Sequence, residues 1–288
     1  MKKQRSFKDQ TSGVLYLVPT PIGNLEDMTF RSVKTLQTVD VIASEDTRNT
    51  QKLLNHFEIA VPQKSLHEHN YKERIPQFIA LLQSGKSVAQ VSDAGMPSIS
   101  DPGHELVVAC IEQEIPVVSL PGPTAGLTAL IASGLTPQPN YFYGFLARKK
   151  KEQIEELTAL LPQKATMMFY ESPYRLGATI QNMIEVFGPE RQAVICRELT
   201  KIHEEYLRGT LAELKAYLEE NTVKGECCLM VAGNTEDVAV EVIEGTIIEQ
   251  VEALIASGEK PNDAIKEVAK RNKLKKQVVY NDFHGLND

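Results

Sequence analysis

Two loops rich in glycine and proline, Ser92-Asp93-Ala94-Gly95-Met96-Pro97 and Pro121-Gly122-Pro123, each follow a short apolar run, Val88–Val91 and Pro116–Leu120. An apolar run that stops abruptly at such residues reads as a buried strand ending in a loop. Between them His104–Glu114 carries Leu106, Val107, Cys110 and Ile111 at helical spacing, and Thr124 can cap a helix through Ala132. Parallel strands joined by a helix put both loops at the carboxyl edge of one sheet, where open α/β sheets bind ligands. The reading is that these loops hold a small nucleoside-like cofactor. Glycine and proline also gather in plain turns, and the spacing alone does not name the ligand. The same edge receives Ser44-Glu45-Asp46-Thr47-Arg48 after the run Asp40–Ala43. Its carboxylates and guanidinium are either chemical groups of the site or an Asp46–Arg48 structural network, which also gathers at strand ends.

A sheet must position those loops. Val14–Val18 opens it, followed by Pro19-Thr20-Pro21-Ile22-Gly23-Asn24 and a helix with Phe30, Val33 and Leu36 on its apolar face. Helices are expected at Thr50–Phe57 and Arg74–Ser84, with a strand at Gln63–Leu66. This alternation predicts a mostly parallel sheet. After a linker around Pro137 and Pro139, a second α/β unit repeats it. Its helices are Lys151–Leu161, Tyr174–Phe187 and Leu211–Glu220; its strands are Thr166–Tyr170, Ala193–Cys196 and Cys227–Ala232. The fold class is thus α/β, with lobes over residues 13–122 and 123–235 flanking a cofactor cleft, after a disordered tail over 1–12. Residues 240–288 read as a small helical module: Ile247–Ser257, Pro261–Asn272 and Lys275–Phe283. Its tight turn and basic third segment resemble a helix-turn-helix, with plain three-helix packing as the alternative.

The 288 residues carry 31 Lys+Arg against 38 Asp+Glu, a net charge of −7, and are 42% hydrophobic. These are the proportions of an ordinary globular chain of about two domains, and the acidic balance argues against coating nucleic acid indiscriminately. Two local basic runs stand out, Arg148-Lys149-Lys150-Lys151 and Lys270–Lys276, as phosphate contacts or as solvated helix faces. No apolar run is long enough to span a bilayer, and the basic start MKKQRSFKDQTS lacks the apolar segment of a signal peptide, so a cytoplasmic location is expected. Cys110, Cys196, Cys227 and Cys228 lack metal-ligand spacing and read as core residues. No metal site is expected.

Eight segments, in this order and at these gaps, resemble the tetrapyrrole (corrin/porphyrin) methylase superfamily, and within it the branch acting on ribosomal RNA. They are Leu17–Arg31 (LVPTPIGNLEDMTFR), Ala43–Arg48 (ASEDTR), Ser92–Gly103 (SDAGMPSISDPG) and Leu120–Ala125 (LPGPTA), then Gly144–Leu146 (GFL), Phe169–Arg175 (FYESPYR), Arg197–Lys201 (RELTK) and Gly225-Glu226. Tetrapyrrole-modifying members usually carry G-x-G-P-G-D in the first loop, where Pro19–Asn24 stands here, and an Asp where Met96 stands. Both departures disfavour a tetrapyrrole substrate.

The resemblance implies methyl transfer from S-adenosylmethionine to the 2′-hydroxyl of a cytidine ribose in the decoding region of small-subunit ribosomal RNA. The partner is the RNA or the assembled small subunit, and the protein a homodimer. A methyltransferase acting on a small tetrapyrrole-like substrate is the alternative. A dinucleotide oxidoreductase is argued against by the missing G-x-G-x-x-G. By motif, cofactor contacts fall to Ile22, Ala94, Gly95, Met96, Ile99, Thr124 and Ala125, with Glu171 and Glu198 across the cleft. Glu45 is the first choice of base and Asp46 the second; Arg48 would hold phosphate or developing charge, and Lys201 would lower the pKa of the hydroxyl. Arg148, Lys149, Lys150, Lys151, Lys273, Lys275 and Lys276 would contact RNA phosphates.

Overall fold

Short apolar runs ending in glycine or proline build the first sheet. The structure, a computed structural model, describes residues 3–6, 12–99, 103–235, 245–272 and 274–286. Strands β1 (Leu15–Leu17), β2 (Val41–Ser44), β3 (Gln63–Ser65), β4 (Val88–Val91) and β5 (Val117–Ser119) run parallel in the order β3-β2-β4-β1-β5. Helices α1 (Phe30–Thr38), α2 (Thr47–His56), α3 (Tyr71–Gln83) and α4 (Gly103–Glu112) alternate with them. Both faces are covered, as an all-parallel sheet requires: Ile42 and Ala89 join the core beneath Leu36 and Leu54, while Val41, Ala43 and Val88 join the one beneath Phe78, Leu82 and Leu106. Within the amino-terminal residues, the Gln4 side chain accepts from the Val117 N–H (3.0 Å) and donates to its carbonyl (2.8 Å), covering the outer edge of β5.

Local chemistry sets the apolar face of one helix and the start of another. Thr29 accepts from the Ser32 N–H and starts α1 at Phe30, which is 98% exposed, so the buried face is Ser32 and Leu36 and Phe30 is not on it. Asp46 accepts from the Arg48 N–H and starts α2 at Thr47 rather than Thr50.

The second sheet departs from simple alternation. Strands β6 (Asn140–Phe145), β7 (Thr166–Glu171), β8 (Gln192–Arg197), β9 (Glu205–Thr210) and β10 (Cys227–Val231) lie in the order β6-β7-β10-β8-β9, and only β6–β7 is parallel. Strand β9 is absent from the expected elements; it is a half-buried edge strand and carries no apolar run. One face packs Met167, Phe169, Ile195 and Leu229 against α6 (Lys150–Leu160), α7 (Pro173–Phe187) and α8 (Leu211–Glu220). The other packs Met168, Val194, Cys196 and Met230 against α5 (Ala125–Ser133), and Ile22 of the first loop joins that cluster. This contact joins the first loop to the face of the second sheet. All four cysteines are free and buried, and burial pushes Cys110 and Cys196 up to about 12, so they act as small apolar groups.

The carboxy-terminal unit, residues 236–288, has its own core. Helices α9 (Ile247–Ala256), α10 (Pro261–Arg271) and α11 (Lys276–His284) gather Val251, Leu254, Ile265, Val268 and Val279. A reciprocal Thr246–Glu249 cap starts α9, and Pro261 sits in the first turn of α10. Among the described residues no helix is long and apolar enough to cross a membrane.

Candidate active site

The loops after β1 and β4 are joined backbone to backbone. Thr20 N–H donates to the Gly95 carbonyl and Gly95 N–H to the Thr20 carbonyl, both at 3.0 Å, and the Thr20 hydroxyl donates to the Ser92 carbonyl (3.1 Å). Gly95 has φ +78°, a conformation that side chains resist. Beside this pair lies a cavity of about 630 Å³, the size of a small-molecule site. Ile22, Ala94, Gly95, Met96, Ile99, Thr124 and Ala125 line it, with Glu45 from the end of β2 and Glu171 from the end of β7. Sequence reasoning missed Phe145, Tyr170, Ser172, Pro173, Cys196, Leu199 and the run Gly225-Glu226-Cys227-Cys228, which complete the lining. Several of these stand inside the FYESPYR and Gly225-Glu226 segments, where the signal was visible but unassigned.

Glu198 does not line the cavity. Its Oε1 accepts from the Glu226 N–H and from Lys201 Nζ, both at 2.9 Å, and Lys201 holds its carboxyl below the usual range. Lys201 also donates to Glu226 Oε2 at 3.0 Å. Burial opposes its charge, yet the two carboxylates outweigh burial and raise its pKa. Glu198 and Lys201 therefore clamp the Gly225-Glu226 turn from behind.

Three carboxylates take different states here. Glu45 is half-buried, and burial raises its pKa; the Asp93 N–H at 3.3 Å opposes this, while the neighbouring Asp93 and Asp46 charges reinforce it. Asp46 faces Arg48, with Oδ2 to Nη2 at 2.7 Å and Oδ1 to Nε at 3.1 Å, which holds it down to about 2. Neither Asp46 nor Arg48 lines the cavity. Glu171 is 4% exposed, its oxygens accepting from the Ser172 N–H (2.8 Å) and the Thr179 hydroxyl (2.7 Å). Thr124 starts α5 without a side-chain capping bond; the Tyr170 hydroxyl accepts from the Gly126 N–H instead (3.2 Å).

The lining fits a sulfonium nucleoside. Among the described residues no Lys or Arg lines the cavity, and although Glu226 and Glu171 are paired with Lys201 and Arg175, Glu45 is a lining carboxylate with no such partner, which suits a cation. Ile99 and Phe145, 61% and 59% exposed, offer apolar surface for a ring. A Cβ on Gly95 would stand 3.3 Å from Ile22 Cγ2 in a backbone conformation strained for alanine. Gly95→Ala is therefore expected to let the free loop relax away from that conformation and to weaken S-adenosylmethionine binding about tenfold, the roughly 1–2 kcal/mol of strain returning when the cofactor restores it. Calorimetry checks this, with circular dichroism unchanged. Among the described residues, no group of three His, Cys, Asp or Glu is placed to hold a metal.

Of the expected phosphate contacts, none of Arg148 to Lys151 lines the cavity. Arg148, Lys149, Lys150 and Lys151 are exposed around the start of α6, Lys149 paired with Glu152 (3.0 Å) and Lys150 with Glu185 (2.9 Å). Lys275 and Lys276 are exposed at the start of α11; Lys273 lies outside the described residues.

Residues 14–215 match the family model of the Tetrapyrrole (Corrin/Porphyrin) Methylases. The Ribosomal RNA small subunit methyltransferase I of Streptococcus pyogenes serotype M18 is 57% identical over 99% of this chain and 100% of its own. The protein of that name from Bacillus subtilis is 47% identical over 99% of each chain. Among solved structures, a cobalt precorrin-4 methyltransferase of cobalamin biosynthesis superposes with TM-score 0.59 at 19% identity, covering 76% of this chain and 94% of its own. The uroporphyrin-III-C-methyltransferase of Thermus thermophilus gives 0.54 at 22%, with the same coverage.

Proposed function

The chain belongs to the tetrapyrrole (corrin/porphyrin) methylase family, whose members use S-adenosylmethionine, and we propose that it methylates the 2′-hydroxyl of a cytidine ribose in the decoding region of small-subunit ribosomal RNA. The observation that carries the reading is end-to-end similarity, at 57% identity, to a protein named for small-subunit ribosomal RNA methylation. The tetrapyrrole enzymes align over nearly all of their own length yet leave about a quarter of this chain without a counterpart. The first loop also lacks their glycine pattern.

Bound S-adenosylmethionine supplies a methyl group already activated by its sulfonium, so the protein must position the acceptor and manage one proton. Ile22, Ala94, Gly95, Met96, Ile99, Thr124 and Ala125 are the residues to hold it, chiefly through backbone groups. Glu45 is the group to take the hydroxyl proton: it lines the cavity, burial outweighs the opposing Asp93 N–H and His67 to keep it basic, and among the described residues no Lys or Arg lines the cavity beside it. Asp46, held near 2 by Arg48, is a far weaker base. Alignment of a bound pair supplies a large further share of the barrier, about 7–11 kcal/mol in the best intramolecular cases.

A ribose-methylation map of ribosomal RNA from a deletion strain, with and without this chain restored, tests the reading. Restoration of one cytidine signal in the small subunit is expected; an unchanged map rejects it. Charge reversal at Lys275 and Lys276 is expected to lower the slope of log affinity for the RNA against log salt by about 1–2. Calorimetric donor affinity should stay the same, and equal loss of both would give the segment a structural role instead.

A further inference from the structure

The loop after β1 has two sides. Ile22 lines the 630 Å³ cavity, whereas Thr20, Pro21, Gly23 and Leu25 line a separate recess of about 280 Å³. The loop after β4 divides in the same way: Ala94, Gly95 and Met96 line the cavity, and Ser92 and Asp93 the recess. The Thr20–Gly95 bridge is thus a partition, with Thr20 lining the recess and Gly95 the cavity. Glu45 is tied to it, accepting the Asp93 N–H at 3.3 Å. Helix α2 forms the opposite wall with Asn49, Thr50, Lys52 and Leu53. Methyl transfer as derived above uses none of these α2 residues.

The composition of the recess narrows its occupant. Pro21, Leu25 and Leu53 give apolar walls, as a flat ring needs. Thr50, on the same wall, is 4% exposed and its buried hydroxyl has no hydrogen-bond partner, so a polar ring edge would relieve that cost once the Thr50 rotamer turned toward the recess. Lys52 is exposed on the same wall, a cation for a phosphate. A free phosphate would leave the apolar walls unused, and a wholly apolar group would leave the Thr50 hydroxyl unpaired. Sequence-specific RNA recognition works on bases splayed from a single strand and read along their edges.

We propose that this recess receives the base of the nucleotide next to the methylated one, with Lys52 against the intervening phosphate. The proposal rests on the RNA reading above. With the neighbouring base held on one side of the partition, the target ribose is presented to Glu45 on the other.

The test uses three variants of the full chain: Leu25→Trp, which fills the recess from a part-exposed position; Thr50→Val, which removes only the hydroxyl; and Lys52→Gln on the exposed surface. Steady-state methyl transfer is measured on small ribosomal subunits from a strain lacking the modification, and donor affinity by calorimetry. Leu25→Trp is expected to raise KM for subunits about tenfold. The other two should raise it by smaller factors, with kcat and donor affinity within about twofold of the parent. An unchanged subunit KM in Leu25→Trp and Lys52→Gln overturns the proposal. So does a parallel loss of donor affinity in all three, because the recess would then serve only the fold of the loops. If the unaltered protein methylates no small-subunit RNA, the functional reading falls and takes the proposal with it; silence of the variants alone removes only the recess.

Discussion

Glu45→Gln is expected to lower kcat by about 10²–10⁴-fold, the usual contribution of a positioned base, while leaving S-adenosylmethionine affinity within a few-fold. The side chain is isosteric, and its carbonyl oxygen can still accept the Asp93 N–H. Only the capacity to take a proton is removed. The pH profile carries the sharper signature. The active form is the carboxylate, so the rate falls as pH drops through the pKa of Glu45, which burial and the nearby Asp93 and Asp46 charges raise above 4.5. The acid limb therefore lies above that of an ordinary glutamate. Asp93→Asn removes one of the charges that raise it, and should shift the limb to lower pH while keeping the backbone N–H in place. Asp46→Asn should leave kcat close to the parent value, because that carboxylate caps α2 and pairs with Arg48. Single-turnover methyl transfer across pH 4–9, roughly the span over which carboxylates and imidazoles titrate, reads all three. A Glu45→Gln rate within a few-fold of the parent would remove Glu45 from the chemistry.

Legibility in the sequence followed the kind of force at work. In the first lobe, strand ends were visible because a buried parallel strand is an unbroken apolar run and the site loops are its glycine and proline stops, as at Val91 and Leu120. The resemblance located the residues lining the front of the cavity for the same reason, since backbone-lined walls tolerate few residue types. Features set by single side-chain bonds were not legible. Phe30 reads as apolar and belongs in a core by periodicity, yet the Thr29 cap turns it outward. Strand β9 carries Glu205 and Arg208 at an edge, where neither alternation nor an apolar run is required. Glu198 matches a cofactor-contacting motif, but Lys201 and the Glu226 N–H draw it behind the wall. The recess along α2 had no signal at all, because Thr20, Thr50 and Asp93 meet only through the sheet's crossover order.

The second large effect concerns the far wall of the cavity. The Glu171 side chain is 2% exposed, and the Arg175 guanidinium lies 3.4 Å from its Oε2. The same nitrogen of Arg175 donates to the carbonyls of Ala147 (2.8 Å) and Leu146 (3.3 Å), joining α7 to the segment after β6. Arg175→Met keeps most of the side-chain bulk but leaves a buried carboxylate supported only by Thr179 and the Ser172 N–H. The carboxylate is buried but the guanidinium side chain is 29% exposed, so the loss costs about 3 kcal/mol, the low end for a buried pair and above the worth of an exposed one. For a unit of this size the expected fall in Tm is roughly 6–12 °C. Glu171→Gln removes the charge at its source and should cost about 1 kcal/mol, since the Thr179 hydroxyl can exchange roles with the amide. Combining the two separates charge from hydrogen bonding. If the uncompensated carboxylate dominates, the double variant melts above Arg175→Met alone and stays below the parent by the cost of the orphaned Leu146 carbonyl. If the guanidinium acts chiefly as a strap between α7 and β6, the double variant melts no higher than the single one, and differential scanning calorimetry distinguishes the two outcomes.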